Sequence, residues 1–194
     1  MKLNLAHQQF LMDYIRSYSA GMLLTEDALC QIVRKFQINT YANKERFSEQ
    51  GNVSNTVGVL YSGLFKITSV NKNGEDYLRD FCFAPYNPVV GDWDSMMSHL
   101  CSAASICSRR TSEVIMIYEE DLNLLCNQFP HFNMVCKCMM SNSGKARKEL
   151  LVAYEDYTSI EKRSFFMIAY PLSCPLITQE NMTQYFGLSK NALT

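Results

Sequence analysis

Short apolar segments separated by turn residues fill the chain from about residue 37 to residue 118, and this pattern restricts the fold more than any other feature. Segments of five to seven residues are typical of strands and too short for most helices. The clearest are Val57–Tyr61, Leu64–Thr68, Tyr77–Phe83 and Ser112–Tyr118. The intervening Ser62–Gly63 and Asn73–Gly74 predict hairpin turns. So many short strands with such turns favour a sandwich or a barrel.

Helical spacing brackets this region on both sides. Near the N-terminus, Phe10, Tyr14 and Ile15 form an apolar helical stripe. Thr25, followed by two acidic residues, is typical of a helix start, because acids in the first turn suit the helix dipole. After the last strand, Glu119–Asn127 has the spacing of a short helix. The chain therefore predicts an α+β fold with helices before and after the strands.

The longest predicted helix runs from His131 to about Tyr157. Its seam residues recur at spacings of three and four, which is typical of a coiled coil. They are Val135, Met139, Asn142, Ala146, Leu150 and Ala153. The small Ala146 and Ala153 would let a partner helix approach closely, and the polar Asn142 would fix its register. We expect a dimerisation helix, with packing of this helix on its own domain as the alternative.

The C-terminal residues have the order of a helix-turn-helix. Thr178 can cap a helix with its hydroxyl, and Met182, Tyr185 and Phe186 follow as one apolar stripe. Gly187 then permits the positive φ that ends a helix, and a second helix begins two residues later. In DNA-binding proteins the second helix of this motif enters the major groove. The chain holds only six residues of that helix, and a hairpin of helices that merely packs is the alternative.

Composition excludes several classes of protein. A hydrophobic content of 47% with 19% charged residues describes a folded chain, and 194 residues suffice for one core or two small domains. No apolar run approaches the roughly 20 residues that span a bilayer, and the N-terminus lacks the apolar stretch of a secretory signal. We therefore expect a cytoplasmic protein without a membrane partner.

The residues of metal and nucleophilic sites are scattered. The eight cysteines include no CxxC pair, which favours reduced and mostly buried thiols. The three histidines, His7, His99 and His131, lie far apart in sequence. The chain also lacks the nucleophile-elbow motif and a glycine-rich phosphate loop. We accordingly expect no enzyme activity, no metal and no cofactor.

In order, these elements resemble the Crp–Fnr family of bacterial transcription regulators over nearly the whole chain. The motifs that carry the resemblance are Leu60–Ile67, Gly91–Ser95, Ser159–Arg163 and the terminal helix-turn-helix. The resemblance implies N-terminal helices and an antiparallel β-roll of the jelly-roll type as a sensor domain over residues 1–130. It further implies a dimerisation helix over residues 131–157 and a DNA-binding domain over residues 158–194, incomplete in this chain.

One departure from the family pattern concerns cyclic nucleotides. Members that sense cyclic AMP carry Gly-Glu and, about eleven residues later, an arginine that neutralises the phosphate. Here Gly91–Asp92 stands at the first position and Ser102 at the second. A serine cannot balance a buried phosphate charge, so we expect weak cyclic-nucleotide binding or none, and the effector stays unknown. The ligand-pocket residues that the resemblance implies are Gly91, Asp92, Trp93, Ser102 and Ala103, with Trp93 expected to pack rather than bind.

The resemblance also implies a way of reading DNA. The residues that it places against double-stranded DNA are Thr178, Gln179, Ser189, Lys190, Asn191 and Thr194. The first two would contact phosphates, whereas asparagine and lysine on the second helix can contact base edges. A homodimer would bind two half-sites of the DNA. A hinge near Tyr157–Ser159 would align its two DNA-binding domains. RNA polymerase is a further candidate partner.

Two other classes of function stay open. The net charge of −1 and the incomplete second helix are compatible with a dimeric sensor that has lost DNA binding and acts through protein contacts. A cupin-type metal enzyme could use the same roll, although the separated histidines argue against it.

Overall fold

Two antiparallel four-stranded sheets form the centre of the computed structural model, which describes residues 1–70, 72–84, 86–143, 156–171 and 176–186. The strands are β1 Gln37–Tyr41, β2 Arg46–Ser48, β3 Thr56–Ser62, β4 Phe65–Val70, β5 Asp76–Cys82, β6 Val89–Gly91, β7 Ser105–Ser108 and β8 Ser112–Tyr118. One sheet, called sheet A, has the order β1-β8-β3-β6, and the other, sheet B, has the order β2-β7-β4-β5. The predicted antiparallel roll is confirmed.

The central strand β8 explains why sheet A has a hydrophobic core on each side. Val114 and Met116 point into the core shared with sheet B. Ile115 and Ile117 point to the opposite side, where they pack against the helices. Successive side chains of a strand alternate between its faces, so one apolar strand contributes to both cores.

Seven α-helices surround the sheets in the described part of the chain. They are α1 Leu5–Arg16, α2 Glu26–Val33, α3 Trp93–Ser98, α4 Glu119–Gln128, α5 Pro130–Asn142, α6 Ser159–Ala169 and α7 Gln179–Phe186, with a short 3-10 helix at Gly21–Leu23. The predicted helix start at Thr25 is confirmed, since its hydroxyl accepts a hydrogen bond from the backbone N–H of Ala28 at 3.3 Å. No described helix is long and apolar enough to cross a membrane.

The hairpin predicted around Ser62–Gly63 is wrong. Strand β3 pairs with β6 and β8, whereas β4 pairs with β5 and β7, so the chain crosses from sheet A to sheet B at this turn. Gly63 has a φ of +106°, and a crossing turn needs this conformation as much as a hairpin does. The Asn73–Gly74 hairpin is confirmed, because Val70 pairs with Asp76 across it.

The described part of the predicted dimerisation helix packs on its own domain. Helix α5 ends at Asn142, an exposed residue, and the next residue leaves the helical conformation. Val135 is 0% exposed and Met139 is 6% exposed, and both lie in the core beneath sheet A. At these two positions the spacing therefore serves the chain's own core instead of a dimer seam. Ala146, Leu150 and Ala153 lie outside the described residues.

The two C-terminal helices pack against sheet B. Phe166 of α6 is fully buried, and Met182 and Phe186 of α7 join the same core. They meet Phe81 and Phe83 from the end of the edge strand β5. The helix pair thus completes the core on the outer side of the roll.

Candidate functional site

A cavity of about 690 Å³ lies beside the short helix α3. Its wall combines strand β5, the start of α3, the loop after α3 and the end of α5. The five residues named above as a ligand pocket, Gly91, Asp92, Trp93, Ser102 and Ala103, all line it. The structure thus brings them to one cavity, and ligand binding there stays a prediction.

Both oxygens of the Asp92 carboxylate accept hydrogen bonds from groups of the same chain. Its Oδ1 accepts a hydrogen bond from the backbone N–H of Ser95 at 3.0 Å and so caps helix α3. Its Oδ2 accepts a hydrogen bond from the Ser102 hydroxyl at 2.6 Å. The preceding Gly91 has a φ of +145°, and a Cβ there would lie 2.8 Å from a methyl carbon of Val57. A glycine is therefore required for Asp92 to reach this position.

The segment around Ser102 is fixed by backbone pairing. Its N–H donates to the carbonyl of Asn52 at 2.8 Å, and its carbonyl accepts from the N–H of Gly51 at 2.9 Å. Ser102 is only 3% exposed, and its hydroxyl oxygen lies 2.6 Å from Asp92 Oδ2 and 2.7 Å from the Ala104 carbonyl oxygen. The position that carries an arginine in cyclic-AMP sensors thus holds a neutral hydroxyl whose acceptors belong to the same chain.

The charges on the cavity wall are unfavourable for an anion. Among the described lining residues, the cation is Arg79 and the carboxylates belong to Asp80, Asp92 and Asp94. The guanidinium of Arg79 donates to the hydroxyl of Tyr77 at 3.0 and 3.2 Å and lies 5.6 Å from its ring centre. Three carboxylates and one cation give these lining residues a net negative formal charge.

Trp93 faces the apolar side of this region. It is buried in the core that the helices form with sheet A, and its Nε1 has no hydrogen-bond partner among the described residues. This location agrees with the packing role expected for it.

Helix α6 starts at a well-defined cap at the predicted hinge. The backbone N–H of Glu161 donates to the Thr158 hydroxyl at 3.4 Å, and the Thr158 N–H donates to the Glu161 carboxylate at 2.7 Å. Hydrogen bonds from the Thr158 side chain and backbone lower the pKa of Glu161. This reciprocal capping box sets where the helix begins.

Helix α7 forms as the sequence predicts. The Thr178 hydroxyl accepts a hydrogen bond from the N–H of Asn181 at 3.3 Å, and Met182 and Phe186 are buried. Thr178 and Gln179 are exposed at the start of the helix. The remaining candidate DNA contacts, Ser189, Lys190, Asn191 and Thr194, lie outside the described residues, as does Gly187.

A polar cluster beneath α7 was not found from the sequence. Asp80 Oδ1 accepts hydrogen bonds from the hydroxyls of Tyr86 and Tyr185, both at 3.0 Å. These two hydroxyl oxygens lie 2.9 Å apart. Burial and the neighbouring Asp80 raise the pKa of Tyr86. An aspartate in an apolar strand was the available signal, but Tyr185 is 105 residues away in the chain.

Side chains that could bind a metal ion do not cluster in the described ranges. There, no three histidine, cysteine, aspartate or glutamate side chains come together in an arrangement that could hold a metal ion.

The overall fold is similar to those of solved regulators. The catabolite activator protein of Thermus thermophilus matches with a TM-score of 0.55 and 14% identity, over 90% of this chain and 82% of that one. FixK2 from Bradyrhizobium japonicum matches with a TM-score of 0.64 and 11% identity, over 79% and 78% of the two chains. The fold is that of Crp/Fnr regulators and cyclic-nucleotide-binding domains.

A third similar structure contains a bound nucleoside. It is the regulatory subunit of a cAMP-independent protein kinase A from Trypanosoma cruzi, bound to guanosine. Its TM-score is 0.55 at 8% identity, over 76% of this chain and 51% of that one. No protein-family model matches the sequence, and no curated protein matches it either.

Proposed function

We propose that this protein is a transcription regulator of the Crp–Fnr type that binds double-stranded DNA as a homodimer. The observation that carries the proposal is the capped helix α7, which follows the roll and α6 and buries its apolar stripe against sheet B. Its first residues, Thr178 and Gln179, are exposed. The likeness to the Thermus thermophilus activator over 90% of this chain supports the same assignment.

DNA contacts would come from both helices of the helix-turn-helix. The N-terminal end of a helix carries free backbone N–H groups and a positive dipole end, so Thr178 and Gln179 suit phosphate contacts. Lys190 and Asn191 suit base edges, since lysine pairs with guanine and asparagine with adenine. Ser189 and Thr194 would add polar contacts beside them.

Dimerisation would use the part of the 131–157 segment that follows the core-packed turns of α5. Asn142 is exposed at the end of the described helix, and Ala146, Leu150 and Ala153 continue the spacing beyond it. Light scattering of Leu150→Glu against wild type measures this directly. A variant as dimeric as wild type would contradict this seam.

The sensor cavity is proposed to take an uncharged polar effector instead of a cyclic nucleotide. The carboxylate of Asp92 and the hydroxyl of Ser102 satisfy each other, and the wall offers a phosphate more negative than positive charge. A nucleoside has the size and polarity of such a ligand without the phosphate. The guanosine-bound Trypanosoma cruzi protein, a cAMP-independent relative in fold, supports this class.

The DNA proposal is tested by fluorescence anisotropy with sheared genomic DNA at low and moderate salt. We expect salt-dependent binding, with a subset of fragments retained at moderate salt. Lys190→Ala should weaken binding, whereas Lys72→Ala removes the same charge at the exposed tip of the β4–β5 hairpin and should not. A folded wild-type dimer that binds no DNA at either salt would contradict the proposal and favour a sensor acting through protein contacts.

The effector proposal is tested by thermal shift and calorimetry with cyclic AMP and guanosine. We expect cyclic AMP at millimolar concentration to leave the melting temperature unchanged. Saturable stabilisation by cyclic AMP would contradict the proposal, and stabilisation by guanosine but not by guanosine monophosphate would support it.

A further inference from the structure

A buried carboxylate lies under the C-terminal helix pair. Asp80 is 4% exposed on the edge strand β5, and its Oδ1 accepts from the N–H of Phe81 at 2.9 Å and from two tyrosine hydroxyls. One of these, Tyr86, follows the same strand, whereas the other, Tyr185, belongs to α7. A buried charge is costly unless donors surround it, so docking of α7 improves the environment of Asp80.

A second polar contact joins α7 to the same sheet. The ammonium group of Lys66 on β4 donates to the side-chain oxygen of Asn181 at 2.8 Å. Burial, and then the nearby Arg109, lower the pKa of Lys66. Asn181 and Tyr185 are four residues apart and therefore lie on one face of the helix. Two polar contacts thus fix both the position and the rotation of α7 on sheet B.

Apolar rings fill the space between these contacts. The ring of Phe166 lies 6.1 Å from that of Tyr185 and 5.5 Å from that of Phe186, and the ring of Phe81 lies 5.2 Å from that of Tyr185. Ring packing supplies burial, whereas hydrogen bonds to a charged oxygen are directional. The polar contacts therefore add directional constraints to the burial that the rings supply.

We propose that Asp80, acting through the hydroxyl of Tyr185, is a positioning residue that latches the C-terminal helix pair onto sheet B. In the latched orientation the buried face of α7 meets the sheet, and its first residues, Thr178 and Gln179, stay exposed. The contact between Asp80 and Tyr185, here called the latch, holds the helix pair in the orientation that leaves the N-terminal end of α7 exposed. Its effect on DNA affinity rests on the proposed function, whereas the latch itself does not.

Hydrogen exchange measured on the full chain tests the latch. Tyr185→Phe keeps the ring and removes only the hydroxyl, and it should speed exchange of the amides in 177–186 about tenfold. Amides of β3 and β8 should keep their wild-type rates. Tyr118→Phe is the matched control, because Tyr118 is exposed at the end of β8. Equal rates in the two variants, or equal acceleration throughout the roll, would overturn the proposal.

A double-mutant cycle separates the latch from general packing. If Tyr185 acts through Asp80, adding Tyr185→Phe to Asp80→Asn should change exchange of 177–186 by less than about threefold, since the charged acceptor is already gone. Fully additive effects would overturn the assignment. If Asp80→Asn fails to fold, Tyr86→Phe serves as a second background that leaves Asp80 in place. Tyr185→Phe should then keep its full effect on exchange of 177–186, and loss of that effect would assign the contact to the Tyr86 hydroxyl and overturn the role of Asp80.

DNA affinity distinguishes failure of the latch from failure of the proposed function. The Tyr185→Phe variant should bind DNA about three- to tenfold more weakly than wild type. A helix α7 that is not held in place loses more conformational freedom when it binds DNA. Faster exchange with unchanged affinity would overturn the positioning role. Faster exchange in the variant, with no DNA binding by either protein, would support the latch and contradict the proposed function.

Discussion

Replacing Ser102 with alanine removes a hydroxyl that connects the loop after α3 to Asp92, the cap residue of that helix. The hydroxyl donates to Asp92 Oδ2 at 2.6 Å, while Asp92 Oδ1 keeps its bond from the backbone of Ser95. The substitution is small and creates almost no cavity. Its cost is therefore mainly that of the hydrogen bond to a carboxylate, with a smaller contribution from the Ala104 N–H, which donates to the same hydroxyl at 3.3 Å.

The size of this cost follows from burial. A hydrogen bond to a charged group contributes about 1.5–3 kcal/mol when buried. Ser102 is buried, but Asp92 is partly exposed, so water partly replaces the lost donor and we expect about 1–2 kcal/mol. For a chain of this size each kcal/mol lowers the melting temperature by about 2–4 °C, which gives a fall of about 2–8 °C.

Chemical denaturation and a thermal melt measure the effect, with Ser98→Ala as the control. Ser98 lines the same cavity, but its hydroxyl donates to the carbonyl of Asp94 within α3 and not to Asp92. Its replacement should cost less than about 0.5 kcal/mol, as most exposed substitutions do. If Ser102→Ala were no more destabilising than Ser98→Ala, a stabilising hydrogen bond between Ser102 and Asp92 would be refuted.

Three further predictions concern the cavity and the helix pair. Ser102→Arg alone should not create cyclic-AMP binding, because Asp92 would pair with the new guanidinium; a dissociation constant below about 100 µM in calorimetry would contradict this. The lowered pKa of Glu161 means that its cap stabilises α6 above the usual pKa near 4.5 and is lost as pH falls through the lower value. The hydrogen-exchange protection factors of the first-turn amides of α6 should fall over the same pH range, and Glu161→Gln should remove this pH dependence. Phe166→Ala should cost about 3–5 kcal/mol in denaturation, and a loss below about 1 kcal/mol would show that α6 is not anchored by this ring.

Features set by neighbouring residues were predictable from the sequence. The cap at Thr178 and the stripe of α7 depend on spacings within one helix, and both are present. Likewise, β8 occupies Ser112–Tyr118 as its apolar run predicts. The resemblance placed five residues on one cavity because the roll fixes where its loops meet.

Features that depend on distant partners were not predictable. A glycine turn serves a hairpin and a crossing between sheets equally well, so Ser62–Gly63 did not show which strands pair. Spacings of three and four arise on any helix with one buried face, and Val135 and Met139 meet their own domain. The sequence shows Asp80 as a charged residue within an apolar strand, but none of its sequence neighbours indicates a contact with Tyr185.

Asp80 belongs to two places at once, since it lines the cavity beside α3 and accepts a hydrogen bond from α7. Thermodynamic linkage makes this arrangement reciprocal. A molecule in the cavity that changes the hydrogen bonding of Asp80 changes the free energy of docking α7 by some amount. Whatever holds α7 in its docked orientation must change the affinity of the cavity for that molecule by the same amount. DNA bound to α7, as proposed, would then act as an effector of the cavity.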